Sequence, residues 1–153
     1  MEPEELLRIL SRAGRLKMTT RHCYTEEGRK ESVADHSWRI ALMAMLMTSI
    51  DEYRDLDMNK VIRMCLIHDL GESFTGDIPT FEKTDDDAGI EDSLFLNWVR
   101  TFPEPQRSEW EGLLHEMDAP EDAGSQALQG PGQTGGSHFP QRIRYKDMAS
   151  FGI

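Results

Sequence analysis

Basic residues are scarce in this 153-residue chain: 17 lysines and arginines stand against 28 aspartates and glutamates, a formal net charge of −11. A surface of that sign repels phosphodiester backbones and anionic lipid headgroups, so neither nucleic acid nor a membrane is an expected partner. A pocket can still take a small phosphate ester where a cation and one or two arginines reverse the local sign. Cysteine is almost lacking. Cys23 and Cys65 cannot build a disulfide framework and read as reduced thiols of a cytoplasmic protein. No apolar run approaches the ~18 residues that span a bilayer, and the acidic opening Met1-Glu2-Pro3-Glu4-Glu5 is unlike a signal peptide. No stretch alternates with the period of a strand and no segment repeats. The length suits one domain with a real core, and what remains for building it is helix.

Five helices are expected. Pro3, Glu4 and Glu5 open the first with the charge sign a helix start favours, Leu6, Leu7, Ile9 and Leu10 give its apolar stripe, and Gly14 ends it. Leu16 to Lys30 is polar and aperiodic and reads as a loop, whose Arg21 and His22 are placed to line a pocket. Ser32, with Asp35 three residues on, caps a second helix. Its inward positions are Val33, His36, Ile40, Met43, Ala44, Met47 and Ile50. Asn59 is expected to cap the third, where Val61, Met64, Cys65 and His68 share a face. Thr84 and three aspartates lead into the fourth, with Ile90, Leu94, Trp98 and Phe102 inward. That acidic run lacks the spacing and late glutamate of a calcium loop. The fifth carries Trp110, Leu113, Leu114 and Met117.

Two of the inward residues are histidines. Either alone would be an ordinary core residue, but the stretch from Val61 to Pro79, VIRMCLIHDLGESFTGDIP, adds Asp69, Glu72 and Asp77 within ten positions of His68. A merely structural bundle would have to bury these charges without partners, which is costly. Successive helical residues diverge by about 100°, so Asp69 can meet the same ion as His68 only near a helix end, and Gly71 suits such an opening. His36, His68 and Asp69 are therefore expected to grip one divalent cation. Mixed imidazole and carboxylate ligands suit Mn, Co, Fe, Ni or Zn.

The set formed by His36 in ADHSW, His68-Asp69 and GESFTGDIP resembles the HD-domain metal-dependent phosphohydrolases, and within them the 5′-deoxynucleotidase branch, from about residue 4 to about residue 118. The resemblance implies an all-α HD-domain helical bundle over residues 1–118. It places the metal ligands on His36, His68 and Asp69, the catalytic carboxylate on Glu72, and substrate contacts on Arg21 and Asp77. His22 stands beside Arg21 where the family usually has a tryptophan. The implied reaction removes the 5′-phosphate from a deoxynucleoside 5′-monophosphate, a small-molecule partner, and family members are often homodimers. The competing reading is a non-catalytic nucleotide-binding HD module, for which Glu72 would have no evident use.

Pattern stops after about residue 118. Residues 119–153 lack apolar periodicity and read as disordered. The family's fourth ligand, an aspartate in a helical segment like KALDKLEA, is missing from them. Codons for Gly124 to Ile153 can be chosen so that reading one base later gives EAKLYKALDKLEAVISHNESDIKTWLPL, which has helical spacing and contains that aspartate. The tail is therefore expected to be a frameshifted translation. Its loss should weaken metal binding, impair activity and bare an apolar patch on helices two, three and five.

Overall fold

The computed structural model describes residues 1–118 apart from 26, 27, 55, 80 and 81; the expectations for residues 119–153 lie outside the described residues. The described chain is a helical bundle with one small hairpin. Helix α1 (Pro3–Ala13) starts on a reciprocal cap between Glu2 and Glu5 and stops at Gly14. A short 3₁₀ turn (Gly14–Lys17) follows. Here the structure departs from the expected loop, because Thr20–Tyr24 (β1) and Lys30–Ser32 (β2) pair as an antiparallel ribbon. Its sequence gives no apolar alternation, since β1 alternates between exposed Thr20, His22 and Tyr24 and half-buried Arg21 and Cys23. The inward residues of this ribbon are Arg21, Cys23, Glu31 and Ser32, two of them charged.

Strand β2 runs directly into α2 (Val33–Met47), whose cap is the expected one: Ser32 Oγ accepts from Asp35 N, and Asp35 Oδ2 accepts from Ser32 N. Helix α3 (Met58–Ile67) is capped by Asp57, which accepts from Lys60 N, and not by Asn59. A one-turn helix α4 (Glu72–Thr75), α5 (Asp85–Val99) and α6 (Gln106–Asp118) complete the order. Thr84 and Asp87 cap α5 reciprocally, so the acidic run is a helix start.

The core gathers around Trp98. Its ring meets those of Phe74, Phe95, Phe102 and Trp110 with centroids 4.8–6.5 Å apart, three of the four edge-on, as aromatic quadrupoles prefer. Ile9, Leu16, Val33, Met64, Ile67, Leu70, Val99 and Leu113 pack with them. Ile40, Ala41, Ala44, Met58 and Cys65 form a second cluster between α2 and α3. Two apolar assignments fail on α5, where Ile90 is 56% and Leu94 39% exposed while Glu91, Phe95, Trp98 and Val99 are buried. Helix α5 thus turns an acid inward. Trp38, Met45 and Leu46 of α2 and Leu66 of α3 stay exposed, whereas Leu113 of α6 is buried.

Glu91 explains Gly71. That glycine has ordinary helical angles, so its use is space and not backbone freedom: a Cβ would stand 2.6 Å from Glu91 Cγ. Glu91 cannot easily retreat, because its Oε2 holds Lys83 Nζ at 2.9 Å and Thr75 Oγ1 at 3.4 Å. Gly71→Ala should cost about 1–3 kcal/mol, as overpacking does, and much less in a Glu91→Ala background. Urea unfolding of the four variants checks this; equal costs in both backgrounds would contradict the contact.

Candidate metal centre

Two helix ends build the site. The Ser32 cap fixes where α2 begins and so sets His36 one turn inside it, 3% exposed. Helix α3 keeps regular bonding as far as His68 N to Met64 O, then tightens: Leu70 N bonds Ile67 O, Glu72 N bonds Asp69 O and Ser73 N bonds Leu70 O. This change from four-residue to three-residue bonding turns Asp69 to the same side as His68. The helix end expected at Asp69 is there, but the chain tightens instead of opening out, and Gly71 keeps ordinary helical angles.

The imidazole rings of His36 and His68 lie with centroids 5.5 Å apart. Asp69 Oδ2 is 3.0 Å from His68 Nε2 and 4.0 Å from His36 Nε2. One ligand atom from each of the three residues falls within 4.8 Å of the others. His68 Nδ1 is 2.9 Å from Cys65 O. A carbonyl can only accept, so Nδ1 carries the proton and Nε2 turns its lone pair to the site whenever the ring is neutral, the arrangement found in metal-ligating histidines. Burial, helped by Arg21, lowers the His36 pKa to about 4, which keeps that ring neutral and able to donate a lone pair at neutral pH. Burial alone would raise the Asp69 carboxyl, but His68, His36 and Arg21 outweigh it and hold Asp69 ionised.

More carboxylates crowd behind. Glu72, at the first turn of α4, is 6% exposed, and burial followed by the charges of Asp69, Asp77 and Glu91 raises it to about 9. Burial also raises Asp77, against the pull of Arg21. The cations are Arg21, whose Nη1 stands 3.5 Å from Asp69 Oδ2, and Lys83, bound to Glu91 and close enough to feel Glu72 and Asp69. His36 Nδ1, Glu72 Oε2 and Asp77 Oδ2 are buried without hydrogen bonds among the described protein atoms. Such orphans are rare and mark a place where an ion, water or ligand belongs, so the donor set fits a divalent cation. A separate concavity of about 360 Å³ between α3 and α6 contains none of these residues, and its Lys60–Glu116 and Arg63–Glu109 pairs satisfy one another.

The structure thus draws together His36, His68, Asp69, Glu72, Asp77 and Arg21. His22 sits on the exposed face of β1, opposite Arg21 in the strand alternation, with Nε2 3.5 Å from Cys23 Sγ. Sequence reasoning missed Glu31, Arg39, Lys83 and Glu91. Only Glu91 left a signal: it lies four, seven and eight residues before Phe95, Trp98 and Val99, on the buried face.

A histidine pair and a neighbouring aspartate meeting at the joint of two helices define the HD class, and the chain belongs to the HD-domain family, whose profile matches residues 13–130. It is similar to the 5′-deoxynucleotidase HDDC2 of Xenopus laevis, 30% identical over 124 residues, covering 76% of this chain and 60% of that protein. It is also similar to the dATP triphosphohydrolase of Salmonella phage PMBT28, 30% identical over 125 residues, covering 77% of this chain and 56% of that one. A crystal structure described as a predicted metal-dependent phosphohydrolase of Magnetospirillum magnetotacticum MS-1 superposes with a TM-score of 0.64 at 29% identity, covering 75% of this chain and 59% of the other. The chain therefore spans less than two thirds of the length of these relatives. No helix among the described residues is long and apolar enough to cross a membrane.

The raised Glu72 pKa has a stability signature in the metal-free protein. Its folded value lies above the unfolded one of 4.5, so folding is unpenalised below about 4.5 and loses stability as pH climbs toward about 9. Glu72→Gln removes that loss. Thermal melts in chelator should show the variant more stable than the parent at about pH 8 and matched to it at about pH 4; a variant no more stable at the higher pH would contradict the assignment.

Proposed function

We propose that this chain is a metal-dependent phosphohydrolase of the 5′-deoxynucleotidase kind, which removes the 5′-phosphate of deoxynucleoside monophosphates. The observation that carries the reading is the meeting of His36, His68 and Asp69 within 4.8 Å beside buried Glu72, whose Oε2 has no hydrogen bond among the described protein atoms. Those three residues would hold one divalent ion of the Mn, Co, Fe, Ni or Zn group. When bound, such an ion polarises a phosphoryl oxygen and makes a bound water acidic enough to attack near neutral pH.

The chain's own residues supply the rest. Glu72 Oε2 is the acceptor for the proton of the attacking water. It is raised in part by the charge on Asp69, so offsetting that charge brings Glu72 toward the range of a working base. Arg21, facing the triad from β1, offsets phosphate charge. Asp77 repels a dianion and is suited to a sugar hydroxyl or to ordering water. A pure nucleotide-binding module has no use for Glu72, and its burial at a cost argues against that alternative.

The reading also covers the tail. With three ligands among the described residues, and the family's fourth recovered only in the shifted frame, the 153-residue chain should bind its ion weakly and act slowly. Comparing it with a version restored to that frame tests both points. With Mn²⁺ or Co²⁺ added, the restored version should release phosphate from dAMP, dGMP, dCMP or TMP, and lose that activity on Glu72→Gln or His68→Ala. The present chain should be slower by more than the roughly 10–100-fold that loss of an outer-shell metal partner costs. No phosphate from the restored version would overturn the function, triphosphate release from dATP alone would move it to the triphosphohydrolase kind, and equal rates would overturn the frameshift.

A further inference from the structure

One buried acid takes no part in the chemistry above. Glu31 on β2 is 2% exposed. Its Oε1 holds Arg39 Nη2 at 2.7 Å, while its Oε2 faces Arg21 Nε at 3.5 Å. Arg21 reaches the other way with Nη1, 3.5 Å from Asp69 Oδ2. Charge-assisted N–H···O⁻ contacts close to about 2.7–2.9 Å when nothing opposes them, so the Arg21 guanidinium is strung between two carboxylates and settled on neither. Arg21 Nε and Glu31 Oε2 are both buried without a hydrogen bond, which marks the slack in the arrangement.

Without Glu31, the carboxylate left paired with Arg21 among the described residues would be Asp69. A guanidinium paired tightly to Asp69 would occupy the oxygen that both histidines face and would compete with any cation there. Burying Glu31 is costly and is offset only because two arginines meet it. The cost therefore holds Arg21 at a set distance from the triad, and the hairpin is the element that delivers it: Arg21 and Glu31 each sit one step from the Thr20–Ser32 pair.

We propose that Glu31 is a positioning residue that anchors Arg21 from the hairpin side, leaving Asp69 to a cation and the outer guanidinium edge to an anionic substrate. This rests on the reading of His36, His68 and Asp69 as the cation site. Anchoring also accounts for the two inward charges of the ribbon, Arg21 and Glu31, which the Thr20–Ser32 pair brings side by side just before the register shifts.

Two measurements on the full 153-residue chain test it. In the first, Mn²⁺ alone is titrated and followed by electron paramagnetic resonance, for the parent, Glu31→Gln, Arg21→Ala and the double variant. Glu31→Gln should weaken Mn²⁺ binding about fivefold or more, a usual size for coupled contacting charges. Most of that loss should vanish in the Arg21→Ala background, where no guanidinium is left to fall onto Asp69. An equal loss in both backgrounds would mean that Glu31 acts through bulk charge or folding, and would overturn the proposal. In the second, the Arg21 Nε–H signal of the metal-free chain is followed by nuclear magnetic resonance, assigned by its absence in Arg21→Lys. It should be lost or strongly shifted in Glu31→Gln and largely kept in Glu31→Asp, which retains the charge on a shorter arm. An unmoved signal in Glu31→Gln would overturn the anchor. Should the parent bind no Mn²⁺, the cation reading fails while this second readout still decides the anchor.

Discussion

Asp69 is claimed by three cationic or potentially cationic neighbours at once, and most of the local structure is shaped by that competition. His68 stands 3.0 Å from Oδ2, Arg21 3.5 Å and His36 4.0 Å. Packing so many polar groups where water is largely excluded costs free energy that ordinary core packing would avoid. The rest of the bundle supplies what offsets it. The aromatic cluster around Trp98 fixes α5 and α6, and α5 in turn presses Glu91 onto Gly71, holding the turn that carries Asp69 and Glu72. The Ser32 cap fixes the start of α2 and with it the height of His36.

The same logic explains why a predominantly helical chain keeps a small hairpin. Its strands bury little apolar surface and would be marginal alone. They are tied at one end to α2, through Val33 N to Thr19 O at 2.9 Å, and inwardly to Glu31 with its two arginines. The ribbon's contribution is electrostatic placement more than core. Lys83 plays the matching part on the opposite side, neutralising Glu91 within reach of Glu72.

Much of this is legible in the sequence, and most of what is not concerns which residues face inward. Local signals carry well: the Ser32 and Thr84 caps, the end of α1 at Gly14 and the inward direction of His36 and His68 follow from spacing, while the triad as a set rests on the HD-like motifs taken together. Errors arise where residues are sorted by polarity alone: Leu6, Leu7, Leu10 and Ile50, expected inward, are exposed, and buried polar residues are treated as outward. Glu91 was passed over for Ile90 and Leu94, though the spacing to Phe95 and Trp98 favours it, because an acid rarely faces a core unless paired. Lys83, its partner, lies eight residues away and gives no hint of that pairing. Arg21 reads correctly as a pocket-lining residue, but Glu31 and Arg39 give no sign of being held inward, for the same reason. With Arg21, Glu31 and Ser32 among their inward positions, β1 and β2 show no alternation of hydropathy and could not be seen. Asp57 caps α3 where Asn59 is expected; both are good capping residues, and only the fold decides between them.

The central claim is that His36 and His68 face one cation together with Asp69. Substoichiometric Mn²⁺ added to the chain while the histidine ring resonances are observed tests it most directly, because paramagnetic broadening reports proximity without requiring turnover. The ring signals of His36 and His68 should broaden together at the lowest additions, with His115 on α6 left sharp. Broadening of one ring without the other, or of all rings alike, would contradict a shared site.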